Sequence, residues 1–389
     1  MNNNNDSLIN QHQLRFFLTE KLMRSVNIEP GLQTLRKLMQ DTKVNGYIAF
    51  LPDYTPANSL PVGTSFLLDP SQKINPSWIG MDIGCGYNFL ELDLDLKKVY
   101  KKGKVNHNRL QKMVNAIDSI LKPRSNLSYG KVPLSIEGIQ TSADRYLGTL
   151  GQGNHFIDIF YIDEIIDQNA FKSFKLQEKK VYVLIHSGSR ELGFKVHQHF
   201  AEQFSATKDF SDFNAAYLKG LDIAVEYARA NRRKIGENIA KVLDCDIEEI
   251  FDQDHNAIDS CLYQNIKLLR IRKGATLIQQ GKPALIPANC TSPAYLVKPA
   301  VNIADTYHTL PHGTGRKYTR AQLFAKFARS KKLSDQFKNI MLNVSPKKMI
   351  EEIPTGYKPI SDIIKALTDY KLAAPIAKLI PLAVIVDRD

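Results

Sequence analysis

A chain of 389 residues, 43% hydrophobic and 24% charged, is long enough to bury a sizeable core as one large domain or two ordinary ones. Its 21 glycines and 18 prolines are near average usage and no segment is biased enough to be a long linker, so a folded globular protein is expected. The 52 Lys+Arg against 40 Asp+Glu leave a formal charge of +12, which favours polyanionic partners, RNA or DNA first, with a basic but unspecialised surface as the alternative.

The opening run Met1 to Asp6 has neither the positive flank nor the apolar stretch of a secretory signal. No segment approaches the ~18 apolar residues of a membrane span, so a cytosolic protein is expected. Residues 10 to 26 and 31 to 41 read as helices, followed by the strand-like Gly46 to Leu51 and a Pro/Asn/Ser-rich loop from Pro52 to Pro61. Phe89 to Leu96 alternates, with Leu90, Leu92, Leu94 and Leu96 on one face and Glu91, Asp93 and Asp95 on the other, which predicts a strand with one wet face. The cluster Lys97, Lys98, Lys101, Lys102 and Lys104 reads as a solvated turn rather than a binding groove. Helical spacing returns from Asn108 to Leu121 and runs long from about Phe213 to Leu243. Strands are predicted at Phe156 to Ile162, Lys180 to Ile185, Ala284 to Pro287 and Leu379 to Val386, and helices near Thr319 to Ser330 and Ile360 to Thr368. No composition break divides the chain, so one α+β domain spanning 1–389 is expected, with its chemistry on loops at strand ends.

Five segments carry that chemistry. In Gly80-Met-Asp-Ile-Gly-Cys-Gly86 the glycines make a tight turn, so the Asp82 carboxylate and Cys85 thiolate can converge on one point, a hard and soft pair that suits a transition metal; a buried structural cysteine is the competing reading. Gly148-Thr-Leu-Gly-Gln-Gly-Asn-His-Phe-Ile-Asp158 delivers Asn154 and His155 at the mouth of a strand, where flanking glycines let a ligand approach, although lone histidines are more often structural. In Leu184-Ile-His-Ser-Gly-Ser-Arg-Glu-Leu-Gly193 a strand ends at His186 and opens into a loop whose Ser187, Ser189 and Arg190 could cradle phosphate, or form an ordinary serine-rich turn. Asp254-His255-Asn256 offers another imidazole beside polar partners. In Leu310-Pro-His-Gly-Thr-Gly-Arg-Lys-Tyr-Thr-Arg320, Gly313 and Gly315 leave room for a bulky group beside His312, while Arg316, Lys317 and Arg320 supply charge for phosphates. A nucleophile or phosphate contact is the favoured reading of His312 over a satisfied buried histidine. His12, His107, His197, His199 and His308 lack such settings. The four cysteines, Cys85, Cys245, Cys261 and Cys290, are few, far apart and form no Cys-x-x-Cys pair, so neither a zinc knuckle nor a disulfide framework is indicated. No Walker loop, Rossmann glycine motif or H-E-x-x-H is present, so nucleotide chemistry would need a different apparatus.

Taken in order, these segments resemble the RtcB family of RNA-splicing ligases. The resemblance rests on Leu51-Pro-Asp, Gly80 to Gly86, Gly148 to Phe156, Ile185-His-Ser-Gly-Ser-Arg190, Asp254-His-Asn256, Arg272-Lys-Gly-Ala-Thr276 and His312-Gly-Thr-Gly-Arg316, with looser matches at Leu285 to Tyr295 and Thr355-Gly-Tyr-Lys358. It implies mixed β-sheets lining a central metal and nucleotide cleft flanked by helices. It also implies two Mn²⁺ ions bridged by Cys85, the first completed by His186 and His255, the second by Asp82 and His155. By the same resemblance His312 attacks GTP to form a histidine–GMP adduct, and GMP passes to an RNA 3′-phosphate, opened beforehand from a 2′,3′-cyclic phosphate where needed, before a 5′-hydroxyl displaces it. Asn154, Asp158, Gly313, Thr314, Gly315 and Tyr357 would then surround the nucleotide, and Ser187, Ser189, Arg190 and Arg316 would hold phosphates or RNA ends. The implied partners are GTP and RNA, either tRNA halves or other cleaved RNA, for a monomeric cytosolic enzyme with no membrane contact.

Four positions depart from the family pattern. Asp158 replaces a glutamate, the chain ends Ile385-Val-Asp-Arg-Asp389 instead of Val-Lys-Gly, Pro52-Asp53-Tyr54-Thr55 lacks the histidine of Pro-Asp-Val-His, and Thr314 replaces an alanine beside the nucleophile. At the C-terminus Arg388 is a candidate substitute for the missing lysine, and Asp387 is not. None falls on the five expected ligands or His312. The competing readings are a metal-dependent phosphoesterase acting on RNA ends without nucleotide, and a non-catalytic RNA-binding protein.

Overall fold

In the computed structural model, which describes residues 13–26, 42–121, 143–330 and 332–388 and the single positions 29, 31, 33, 35, 36, 136 and 139, the chain alternates between two sheets. It begins with β1 (Leu14–Phe16), α1 (Glu20–Ser25), β2 (Val44–Thr55) and β3 (Val62–Leu68). There follow β4 (Gly86–Asp95), the small hairpin β5 (Tyr100–Lys101) and β6 (Lys104–Val105), α2 (His107–Asp118), β7 (Phe156–Ile165), α3 (Gln168–Ser173), β8 (Lys180–Ser187), α4 (Arg190–Phe204) and α5 (Phe210–Leu243). The last part adds β9 (Ile247–Asp254), β10 (Asn256–Tyr263), β11 (Ile266–Lys273), β12 (Ala275–Leu277), β13 (Ala284–Ile286), β14 (Ala294–Pro299), β15 (Thr309–Pro311), α6 (Arg320–Phe327), β16 (Met341–Leu342), α7 (Ile360–Asp369) and β17 (Ala373–Ile385).

The smaller sheet has the order β1-β2-β3-β11-β10 and the larger β13-β14-β17-β7-β8-β4-β9, with β16 parallel to β17 and β12 paired with β15 in a separate ribbon. This is the mixed α+β architecture expected. The chain passes from the larger sheet to the smaller across one residue: β9 ends at Asp254 and β10 begins at Asn256, so His255 is the corner.

Helix α5 explains how the two sheets are held. Asp209 caps its start by accepting from Ser211 N, and Asp244 ends it in the left-handed region at φ 50. At about 1.5 Å per residue it is roughly 50 Å long. Phe213, Tyr217, Leu221, Ala224, Ala228, Ile235 and Ile239 recur at helical spacing and are buried, but the same stripe includes the polar Asn231 and Arg232. Both are wholly buried, and both reach into the site.

Three expectations change. The helix predicted over 10 to 26 is confined to Glu20–Ser25; Leu14–Phe16 pairs in parallel with Ile48–Phe50 of β2, where the unpaired backbone groups of a sheet edge outcompete helical propensity. Residues 10–12 lie outside the described residues, as does most of 31 to 41, of which 31, 33, 35 and 36 are helical. The loop predicted from Pro52 starts later, because β2 runs on to Thr55 and carries Asp53 within a strand. On β4 only Asp93 and Asp95 are wet; Glu91 is buried and accepts from the Tyr182 hydroxyl at 2.7 Å, because Phe89 stacks with Tyr182 and Phe251 over that face. Lys97, Lys98, Lys101, Lys102 and Lys104 are exposed, as expected. Among the described residues no helix is long and apolar enough to cross a membrane.

Candidate active site

Register brings the candidate ligands to one end of three adjacent strands. Gly86 of β4 lies opposite Ser187 of β8 on one side and Asp254 of β9 on the other, so Cys85, His186 and His255 stand side by side at those strand ends. The turn before Cys85 needs Gly84, which has φ +69 and sits where a Cβ would come within 2.9 Å of Val225 Cα and Ala228 Cβ on α5. The Cys85 Sγ is 3.1 Å from His186 Nε2 and 3.6 Å from His155 Nε2. Cys85, His186 and His255 present their ligand atoms within 4.8 Å of one another, and all three are buried. Asp82 is different: its side chain stands exposed on the turn, outside this cluster.

Two buried arginines fix this geometry. Arg232 donates to the Gly84 carbonyl at 2.7 Å and the Ser187 carbonyl at 3.0 Å, tying the Cys85 and His186 loops together, and is neutralised by Asp252 at 2.5 Å. Arg272 donates to the Asp254 carbonyl at 2.8 Å, next to His255, and pairs with the carboxylates of Asp254 and Asp259. Burial acts to raise the Asp254 carboxyl, but Arg272 and Arg229 outweigh it and hold it well below the usual range. Removing one partner of such a pair strands the other charge in the interior. Arg232→Met should therefore cost about 3–5 kcal/mol in urea unfolding; a loss under 1 kcal/mol would show that the clamp contributes little.

The electrostatics of the cluster fit a metal. Burial, together with mutual repulsion among neighbouring imidazoles, holds His186 and His255 well below the ordinary histidine value, and burial lowers His155 to about 4. These rings are therefore neutral, with lone pairs available. Nδ1 of His155, His186 and His255 is buried with no hydrogen-bond partner among the described residues. Burial pushes the Cys85 thiol up, so a thiolate there needs a cation beside it. A thiol and neutral imidazoles form a donor set for a transition metal rather than Ca²⁺ or Mg²⁺.

His312 lies beside this cluster, its ring centroid 4.8 Å from that of His255. It follows β15, and its backbone N–H faces Gly274 O at 3.3 Å. The ring Nδ1 is 2.5 Å from Asp53 Oδ2 and 3.2 Å from the Gly274 carbonyl. Both neighbours are acceptors, so Nδ1 is the ring nitrogen that donates, and Nε2 is the one left clear of Asp53. Tyr87 donates to the His312 carbonyl at 2.7 Å. Gly315, at φ +70, packs where a Cβ would come within 2.2 Å of the Asp53 carbonyl, so the glycine lets the His312 loop close over β2.

A cavity of about 230 Å³ opens over both groups. Asn154, His155, Asp158, His186, Gly313, Thr314, Gly315, Arg316 and Tyr357 line it together with His312, and Arg388 lies in its wall. Arg316, Arg388 and the Tyr357 hydroxyl converge on the Glu352 carboxylate, Arg316 at 2.9 and 3.1 Å and Arg388 at 2.9 Å. Asp158 is 4% exposed, with Oδ1 unpartnered, and burial pushes its carboxyl well above the usual range. Thr314 Oγ1 is also buried without a partner.

A family model described as tRNA-splicing ligase RtcB matches residues 124–387. The chain belongs to the RtcB family. RNA-splicing ligase RtcB2 of Escherichia coli is 29% identical, covering 85% of this chain and 86% of that protein. The tRNA-splicing ligases RtcB of Nanoarchaeum equitans and Archaeoglobus fulgidus are 25% and 26% identical, covering 96% and 95% of this chain and 94% and 93% of their own.

Within this RtcB chain some expected phosphate contacts lie elsewhere. Ser187 Oγ donates to Leu150 O at 2.8 Å and Ser189 Oγ to Ile83 O at 2.5 Å, while Arg190 folds over the Tyr146 ring and donates to Thr149 Oγ1 at 3.3 Å. None of the three lines the cavity. Residues that sequence reasoning left outside the site are Glu352, the centre of the cavity's charge cluster, and Asp53. Asp53 had a signal, as the acid of Leu51-Pro-Asp; Glu352 had none.

Proposed function

We propose that this protein is a GTP- and Mn²⁺-dependent RNA ligase that joins an RNA 3′-phosphate or 2′,3′-cyclic phosphate to a 5′-hydroxyl through a guanylylated His312. The observation that carries the reading is His312 itself: Asp53 holds its Nδ1–H, and the ring stands at the cavity next to a Cys85/His186/His255 cluster. Nε2 attacks the α-phosphorus of GTP, an N–P bond forms, the bond to the bridging oxygen breaks, and pyrophosphate leaves. Asp53 stabilises the positive charge that develops on the ring. An oxygen of the RNA 3′-phosphate then takes GMP and frees His312. The 5′-hydroxyl next attacks the activated 3′-phosphate, loses its proton and expels GMP.

Cys85, His186 and His255 would hold one ion, and Cys85 with His155 and Asp82 a second, supplying Lewis-acid polarisation of phosphate. Asp158, Tyr357 and Arg388 would face the base. Asn154 and Arg316 would contact phosphates, and the basic surplus would attract tRNA halves or other cleaved RNA. The test is incubation with each α-labelled NTP and Mn²⁺. GTP should give an acid-labile, alkali-stable protein adduct; conversion of cyclic-phosphate ends with no adduct from any NTP would favour a phosphoesterase instead.

A further inference from the structure

Lys358 lies between Tyr357 and the start of α7, and its side chain is wholly buried. Among the described residues it forms no ion pair within salt-bridge distance. Its Nζ donates instead to the carbonyls of Pro52, at 3.4 Å, and Tyr54, the two residues that flank Asp53 on β2. Its own backbone N–H donates to Gly315 O at 3.1 Å, so one residue grips both the strand under the nucleophile and the loop that carries it. Asp53 is also wholly buried, with Oδ2 on His312 and Oδ1 without a partner among the described residues. A buried carboxyl oxygen in that state is costly unless positive charge lies nearby. Lys358 supplies it: burial lowers the ammonium pKa to about 8, and the attraction of Asp53 works against that lowering.

We propose that Lys358 is a positioning residue for nucleotide transfer, whose ammonium fixes the Pro52 and Tyr54 carbonyls and so holds Asp53 against the His312 Nδ1–H. It does not line the cavity, so it acts through Asp53 and not on the nucleotide. The proposal rests on His312 being the nucleophile.

The test compares the full chain with Lys358→Met, Asp53→Asn and the double variant, reading the ring nitrogens of His312 by ¹⁵N NMR and the kinetics of adduct formation with GTP. Lys358→Met should shift the His312 ring signals and lower the maximal adduct rate about 10–100-fold with KM for GTP little changed. The double variant should be no slower than Asp53→Asn alone, because the two losses run through one contact. Unchanged ring signals, or losses that multiply in the double variant, would overturn the proposal. Should Lys358→Met fail to fold, Lys358→Gln keeps one donor without the charge and is read in the same way. A wild-type protein that forms no adduct, with ring signals that still respond to Lys358→Met, would reject the ligase reading and keep the placement of Lys358.

Discussion

His312→Ala should abolish covalent labelling by α-labelled GTP, a loss of at least about 10³-fold, because among the described residues no other histidine at the cavity has a carboxylate holding one ring nitrogen. The fold should survive. Asp53 would keep only the backbone N–H of residue 312, at 3.2 Å, for its Oδ2, so the variant should lose about 1–3 kcal/mol in urea unfolding from an under-satisfied buried carboxylate. Its metal content should be unchanged, since His312 is not part of the three-residue cluster. An adduct persisting in this variant would move the nucleophile elsewhere.

Cys85→Ala should have the second largest effect and the opposite signature. It removes the sulfur on which His155 and His186 converge, so bound Mn²⁺, measured by atomic emission after gel filtration, should fall below one ion per chain. Adduct formation should fall by about 10³-fold, the equivalent of roughly 4 kcal/mol of lost Lewis-acid stabilisation. Without metal the variant should lose about 0.5–1.5 kcal/mol relative to wild type, the cost of the small cavity left by a buried side chain. Full metal occupancy in Cys85→Ala would show that the imidazoles and Asp82 suffice and that the sulfur is structural.

Sequence patterning revealed the site in the places where glycine brackets a reactive side chain. The turns around Cys85, His155 and His312 need backbone conformations or close approaches that only glycine permits, and such constraints leave a local mark. Most strands and the long helix were equally visible, since each buries a periodic face. Arg232 and Arg272 were not: on a helix and a strand they look like ordinary solvent-facing charges, and only packing shows that each is enclosed by carboxylates and carbonyls of the ligand loops. Glu352 and Lys358 were hidden for the same reason. Arg190 was visible as a cation near a serine loop, but which way its side chain folds depends on Tyr146 and Thr149, some 40 residues earlier in the chain. The strand at Leu14–Phe16 was misread as helix because its partner, the free edge of β2, is a feature of the assembled sheet.

His255 is the single residue by which the chain passes from β9 of the larger sheet to β10 of the smaller. A hinge so short leaves no slack: a tilt of one sheet against the other would swing this imidazole away from Cys85 before it broke any strand pairing. Substitutions deep in the smaller sheet, far from any reacting atom, should thus register first as weaker manganese retention, with the melting curve following later.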